Sequence, residues 1–395
     1  MAAVGPAGSV PNPPDAESLA LGSAILLPGL VNTHTHLELT GFAPTASELD
    51  FRRWILSIRR LKQAQGPGEF LAAARRGIQD CWAGGVTTVA DTGDSGAVAQ
   101  ALAELGGSGI VYQEVFGPHP EQLTESVAGL ESQVAGLAGF AGERVRVGVS
   151  PHAPYTVSGP LYSRVSEWAR EHGLPLAVHI AESVAEREFV TQGTGPFAEA
   201  WAARGIPPLS DPSQLPHRRT AALPHTPIQW LDAHGVLGPR TLCIHAIQLT
   251  SDDVQLLAQR GAAVAHCPVS NAAHGHGAAP LAALRAAGIR VGIGTDSVAS
   301  VGRLDLWQDA RAAQSLARLS DAEALTLATL EGARALGLDS ELGSVTTGKW
   351  GDLVAVRGPA EQASVDPVRA ALQSSPADVL LTVLGGRIVH QSPPA

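Results

Sequence analysis

The sequence predicts an α/β fold, a parallel (β/α)8 TIM barrel followed by a small β subdomain, and three observations lead to it. Eight short apolar runs alternate with helical stretches along most of the 395-residue chain, and short buried strands that alternate with helices form parallel sheets. Eight such units fit a closed barrel better than an open doubly wound sheet, and no glycine-rich phosphate fingerprint follows the first run. Towards the C-terminus the rhythm changes to alternating, glycine-punctuated segments, the pattern of a separate set of strands.

Residues 1–20, rich in Ala, Gly and Pro, read as a loose leader, and residues 1–27 as that leader plus a reduced N-terminal part of the β subdomain. The barrel is expected over residues 28–337, with core strands at 30–36, 86–91, 110–115, 145–150, 176–180, 242–245, 262–266 and 291–295. Between them, residues 69–83, 161–172, 254–260 and 280–287 space apolar side chains three and four apart, as helices do. The proline-rich, aperiodic segment 206–226 predicts a long loop after the fifth strand, of the kind that serves as a lid or substrate contact. A helical segment at 321–336 follows the last strand. GSVTTGKWGDLVAV and DVLLTVLGGRIVHQ then supply a β-sandwich-like subdomain, formed mainly by the C-terminus, over residues 338–395.

Composition narrows the function. With 45 % of residues hydrophobic and 16 % charged, the chain can bury a large core. The formal charge of −10, with no Lys/Arg-rich run, repels phosphate backbones and anionic lipids, so neither nucleic acid nor membrane is an expected partner. No apolar run reaches membrane-spanning length, and MAAVGPAGSVPNPPD lacks the basic and apolar regions of a secretory signal. Cys81, Cys243 and Cys267 are an odd number of scattered thiols in apolar surroundings, which suits a reducing compartment. The expectation is a cytoplasmic protein acting on a small molecule, with room for a homodimer.

Polar residues fall at the strand ends. His34 and His36 end the first run, His152 follows the fourth, and His179, His245, His266 and Asp296 end the fifth to eighth. In a barrel these ends converge on the face where the chemistry takes place. Alternation along a strand puts His34 and His36 on one side and Thr35 on the other, so both imidazoles can reach one metal ion. With 14 histidines, a His-x-His pair arises by chance on the order of once, and the chain has a second, His274 and His276, in a Gly/Ala loop that no strand delivers. Only the first pair is backed by further convergent polar groups, and core strands rarely end in unsatisfied imidazoles or carboxylates.

The stretches LPGLVNTHTHLE, SPHAPYT, HIAE, IHAIQLT, HCPVSN and GTDS, in this order, resemble the amidohydrolase superfamily. More narrowly, they resemble the branch that contains S-adenosylhomocysteine/methylthioadenosine deaminases, aminodeoxyfutalosine deaminases and triazine chlorohydrolases. The resemblance runs from about Pro28 to the C-terminus. It implies a distorted (β/α)8 barrel with one divalent metal ion, Zn2+ before Fe2+, held by His34, His36, His179 and Asp296. Members usually carry a longer β-rich segment before the first barrel strand, so either the subdomain is reduced here or the start of the chain is missing.

Three imidazoles and a carboxylate with a position left for water form a catalytic arrangement, and a metal so held lowers the pKa of water towards neutrality. The resemblance then implies hydrolytic deamination of an amino-substituted nitrogen heterocycle. Glu182 would protonate the ring nitrogen, Asp296 would carry a proton from water to the departing ammonia, and His245 would orient the water. A second metal bridged by a carboxylated lysine is not expected, because the only lysines, Lys62 and Lys349, lie far from the fourth run in sequence. Glu114 on the third run is the alternative bridge, against a plain packing or hydrogen-bonding role.

His152, in PHAPY, is the expected substrate contact, whereas His266 is as readily structural. Trp54, Arg59 and Arg60 lie on an amphipathic stretch and either clamp a substrate or are ordinary solvated helix residues. Arg218 and Arg219, in the long loop, are placed to meet an anionic group. Aminodeoxyfutalosine is the preferred substrate, because WILSIRR and GTDSVAS resemble that subgroup. S-Adenosylhomocysteine, methylthioadenosine and adenosine come next, since the segment after HTHLE lacks the acid that adenosylhomocysteine deaminases use for ribose hydroxyls. Triazine dechlorination or cyclic-amide ring opening would use the same metal site. An inactive scaffold barrel is disfavoured, because such relatives lose ligands that are all present here.

Overall fold

A computed structural model describes the chain apart from residues 7, 12, 43–49, 216–225, 359–365 and 394–395. A short strand, β1 (Ile25–Pro28), precedes eight parallel strands: β2 (Leu30–Thr35), β3 (Val86–Gly93), β4 (Gly109–Val115), β5 (Val145–Pro151), β6 (Leu176–Ile180), β7 (Thr241–His245), β8 (Ala263–His266) and β9 (Val291–Ile293). These eight pair in chain order from β2 to β9, with helices between them, as the alternation predicts. Nearly every residue of the eight is buried, which is why the strands read as continuous apolar runs rather than alternating ones.

β2 and β9 share no ladder. The barrel is nearly closed there by a single bridge between Thr35 and Asp296, with the Asp296 N–H donating to the His34 carbonyl at 3.0 Å. Asn32 adds a side-chain clasp: its Nδ2 donates to Thr295 Oγ1 at 2.8 Å and its Oδ1 accepts from the Thr295 N–H at 3.1 Å. Gly294 makes the approach possible, since a Cβ there would lie 2.7 Å from the His34 nitrogen. This crossing explains why the last strand stops at Ile293, short of the expected Thr295.

Two further boundaries differ from expectation for physical reasons. His36 lies just outside β2 because the chain turns into the 3-10 helix Leu37–Leu39. The segment 321–336 is two helices, Asp321–Leu327 and Leu330–Leu336. The break frees the Ala328 carbonyl to accept the Val31 N–H of β2 at 2.8 Å.

The C-terminal strands β10 (Leu353–Val356), β11 (Val379–Leu384) and β12 (Arg387–Gln391) form an antiparallel sheet with β1, which is the contribution of the N-terminal stretch. This sheet is tied to the barrel by the ion pair of Arg144 with the buried Asp352 at 3.1 Å and by the Arg144 guanidinium 4.1 Å over the Trp350 ring. No helix among the described residues is long and apolar enough to cross a membrane.

Two helices follow β2. In α1 (Phe51–Gln63), the Asp50 side chain caps the first turn by accepting from the Arg53 N–H at 3.0 Å. In α2 (Pro67–Ala83), proline occupies the first position, where its missing N–H is harmless. α1 lies across the C-terminal face of the barrel and supplies one wall of the site described next.

Candidate active site

The C-terminal strand ends bring three imidazoles and a carboxylate together. The ring centroids of His34 and His36 are 4.7 Å apart, and His179 at the end of β6 lies 5.0 Å from the first and 5.3 Å from the second. Nε2 of His36 and Nε2 of His179 are 3.3 Å apart, and Asp296 Oδ1 is 3.5 Å from Nε2 of both His34 and His36.

The tautomer of His36 is set from outside the cluster. Its Nδ1 lies 2.8 Å from the Thr92 carbonyl, which only an N–H satisfies, so a lone pair on Nε2 faces the cluster. Burial, followed by the charge of His34, lowers the His36 pKa to about 4. Burial and the surrounding histidines push His179 well below its ordinary value. Burial opposes ionisation of Asp296, but the nearby His34, with His36 and His245, holds it well below the usual carboxylate range. Its Oδ2 accepts from Ser270 Oγ at 2.6 Å and Ser300 Oγ at 3.1 Å, which locks the group in place.

Both ring nitrogens of His34 and Nδ1 of His179 are buried without a hydrogen-bond partner, a condition that native interiors avoid unless something else satisfies them. A divalent cation among them would take up one nitrogen of each ring, and this donor set suits zinc.

Strain concentrates here as well. Ala181, His245, Ala246 and Asp296 have φ of 52°, 69°, 50° and 59°, left-handed values that non-glycine residues adopt rarely and mostly at functional sites.

Glu182 follows β6 and is buried, and its Oε1 lies 3.5 Å from His245 Nε2. Burial, with Asp296 and Glu186 nearby, raises its carboxyl pKa well above the ordinary value. The amide of Asn271 orders the histidines behind the site. Its Oδ1 accepts from His245 Nδ1 at 2.9 Å and its Nδ2 donates to His266 Nδ1 at 3.3 Å. His266 therefore meets the site through Asn271.

His152 lies against His179, ring centroids 4.8 Å apart, with Nδ1 bonded to Thr156 Oγ1 at 2.8 Å. Glu114 is buried beside it with Oε1 unpartnered, and burial keeps that carboxyl well above its ordinary pKa. Glu114, His152 and His179 make a second group whose donor atoms lie within 4.8 Å of one another. His179 belongs to both groups.

His36, His152, His179, Glu182, His245 and Asp296 floor a cavity of about 760 Å³. Trp54 and Arg59 line it from α1, together with Arg52 and, from beyond the fifth barrel strand, Arg204, whereas Arg60 is exposed outside it. Arg218 and Arg219 lie outside the described residues.

Several neighbours escape a reading of the sequence. Asp91, at the end of the second run, accepts from Thr35 Oγ1 at 2.8 Å and the Leu37 N–H at 2.7 Å, and so holds the His-x-His turn. Its strand-end position is the same signal that marked the histidines. Lys62, remote in sequence from the fourth strand, reaches the cavity wall along α1, but its ammonium is committed to Glu38 and Asp94, each at 2.5 Å. The second His-x-His pair is buried beside Glu182, with His276 Nε2 3.6 Å from its Oε1.

The amidohydrolase family matches this chain over residues 25–389. The chain is 30 % identical to a 5'-deoxyadenosine deaminase of Methanothermobacter thermautotrophicus, over 96 % of this chain and 85 % of that one. It is 31 % identical to a 5-methylthioadenosine/S-adenosylhomocysteine deaminase of Moorella thermoacetica, over 89 % and 78 %. It is 32 % identical to an aminodeoxyfutalosine deaminase of Deinococcus radiodurans, over 78 % and 72 %. The solved structure of an adenosine deaminase from Xanthomonas campestris with bound zinc is similar with a TM-score of 0.77 at 27 % identity, covering 93 % of this chain and 80 % of that one. The strand-end histidines, the ionised aspartate that closes the barrel and a match across nearly the whole length agree: this chain belongs to the amidohydrolase family.

Proposed function

We propose that this enzyme is a zinc-dependent deaminase of adenine-nucleoside-type substrates and that aminodeoxyfutalosine is the preferred one. The observation that carries the reaction class is a buried Glu182 carboxyl paired with His245 beside a cluster of three histidines and an ionised aspartate. The deaminases among its relatives support the substrate class.

His34, His36, His179 and Asp296 would hold the single ion, and the unpartnered imidazole nitrogens among them fit it. Bound there, zinc supplies a Lewis acid that brings the pKa of water down to about 7. In the net reaction the water oxygen bonds to the ring carbon that bears the amino group, and the carbon–nitrogen bond breaks. One water proton ends on the ring nitrogen and the other on the departing ammonia.

Glu182, whose burial favours the protonated form, gives its proton to the ring nitrogen as that carbon becomes tetrahedral and regains one from the added hydroxyl as the amine leaves. Asp296, held ionised, takes a proton from the attacking water and passes it to the amine. His245, fixed by Asn271, orients the water.

The cavity supports the substrate choice. Aminodeoxyfutalosine ends in a benzoate on its 5' side, and Arg52, Arg59 and Arg204 line the cavity without an ion pair among the described residues. Arg218 is a further candidate for that contact. Trp54 offers an aromatic face, while His152 and Glu114 offer a donor and an acceptor for ribose hydroxyls.

The test is ammonia release by metal-replete protein from aminodeoxyfutalosine, 5'-deoxyadenosine, methylthioadenosine, S-adenosylhomocysteine and adenosine. Aminodeoxyfutalosine should have the highest kcat/KM. Arg59→Ala with Arg204→Ala should raise its KM about tenfold and leave that of adenosine unchanged. Glu182→Gln should keep its metal and lose at least about a hundredfold in kcat. A different best nucleoside overturns the substrate alone, whereas silence across the panel overturns the reaction class.

A further inference from the structure

The second His-x-His pair has no part in the chemistry above, yet the fold packs it tightly behind that chemistry. After the helix Pro268–Ala273 the chain turns through Gly275 and Gly277, whose φ of 67° and 97° are values that a side chain would strain. Between them His276 gives its backbone N–H to the Asn271 carbonyl at 2.9 Å, and its own carbonyl accepts from Gln248 Nε2 at 3.0 Å. Asn271 also orients His245 through its side chain, so the turn and the water-orienting histidine depend on one residue.

Two imidazoles thereby face one oxygen. His245 Nε2 lies 3.5 Å and His276 Nε2 3.6 Å from Glu182 Oε1. His276 is 8 % exposed, and its Nε2 has no hydrogen-bond partner. It does not line the cavity, so it reaches a substrate only through Glu182. Its ring is backed by Phe51, edge-on at 4.5 Å, and by His274, stacked at 5.4 Å.

We propose that His276 is a positioning residue for Glu182: its Nε2–H is shared with Oε1 and fixes the direction in which the carboxyl group meets the substrate ring. The inference rests on Glu182 being the proton donor of the reaction proposed above. A separation of 3.6 Å exceeds hydrogen-bond length, but catalytic hydrogen bonds are often long in ligand-free sites and tighten when substrate packs against them. Burial, and then the charge of His274, lowers the His276 pKa to about 4, so the ring serves as a neutral donor and not as a counter-charge.

The competing role is simple packing beneath α1, and two substitutions separate the roles. His276→Phe keeps the ring and removes the N–H, whereas His276→Gln removes the ring and returns an N–H at similar reach. Kinetics are read on the panel nucleoside that is turned over fastest. The expected result is a fall of about tenfold in kcat for His276→Phe, with KM and metal content unchanged, and recovery of most of it in His276→Gln. In a Glu182→Gln background His276→Phe should add nothing.

An active Phe variant, equal losses in both variants, or a loss carried by KM or metal content overturns the proposal. His276→Met replaces the Phe variant in the same cycle should that one fail to accumulate. Full activity in Glu182→Gln alone would instead remove the assignment of Glu182. Ordinary behaviour of Glu182→Gln with an unaffected His276→Phe overturns only the role of His276.

Discussion

Lys62 shows how a residue remote in sequence becomes part of a site. Its ammonium reaches into a wall of carboxylates, bonding Glu38 Oε1 and Asp94 Oδ1, while Glu38 Oε2 accepts from the Ser95 N–H at 3.2 Å. Burial acts to lower the Lys62 pKa, but Glu38, Asp94 and Glu114 outweigh it and raise the pKa above its ordinary value. Distance along the chain from the fourth strand said nothing of this, because α1 folds back over the barrel mouth. The strand-end histidines were legible because strand alternation and position are local patterns. His276 was not, because its nearness to Glu182 depends on a turn geometry that only the folded chain displays. Lys62→Met should leave Glu38 buried without a counter-charge and destabilise the protein by about 3 kcal/mol, the usual penalty for removing one partner of a buried pair. Denaturant titration reads this directly, and an unchanged midpoint would mean the carboxylates protonate at little cost.

At the scale of elements, the glycine that follows β9 positions two of the proposed metal ligands, His34 and Asp296. Asp296 reaches the cluster because Gly294 lets the chain pass over β2, and a Cβ at Gly294 would lie 2.8 Å from the His34 Cβ and 2.9 Å from its carbonyl oxygen. Those contacts are with backbone or the root of a side chain, so no rotamer change relieves them. Gly294→Ala is therefore expected to displace His34 from Asp296 and to lower bound zinc to well below one ion per chain. Metal analysis of the purified variant checks this, and full stoichiometry would show that the strand end yields without cost to the site. All eight barrel strands were legible in the sequence because each is a short apolar run, but the end of the last strand and the break in the helical segment after it were not. The crossing at Gly294 and the helix break that frees the Ala328 carbonyl for Val31 answer to tertiary contacts that no periodicity encodes.

For the whole molecule, the proposed metal ligands sit on both sides of a thinly joined line in the barrel. Between β2 and β9 the backbone is joined by one bridge and the Asn32–Thr295 clasp, whereas β4 and β5 are joined along the length of both strands. An ion held by His34 and His36 on one side and Asp296 on the other would staple that seam. Ligand binding to the folded state alone stabilises it by about 4 kcal/mol when free ligand exceeds Kd a thousandfold, so removing zinc with a chelator should lower the Tm measurably. The position of the loosening carries the argument further than its size. Hydrogen exchange in the zinc-free protein should accelerate in β2 and the 294–296 crossing while β4 and β5 keep their protection. Uniform acceleration would indicate that the metal stabilises the barrel as a whole. No acceleration at the seam would mean the apolar core keeps β2 and β9 together by itself, leaving the ion to catalysis alone.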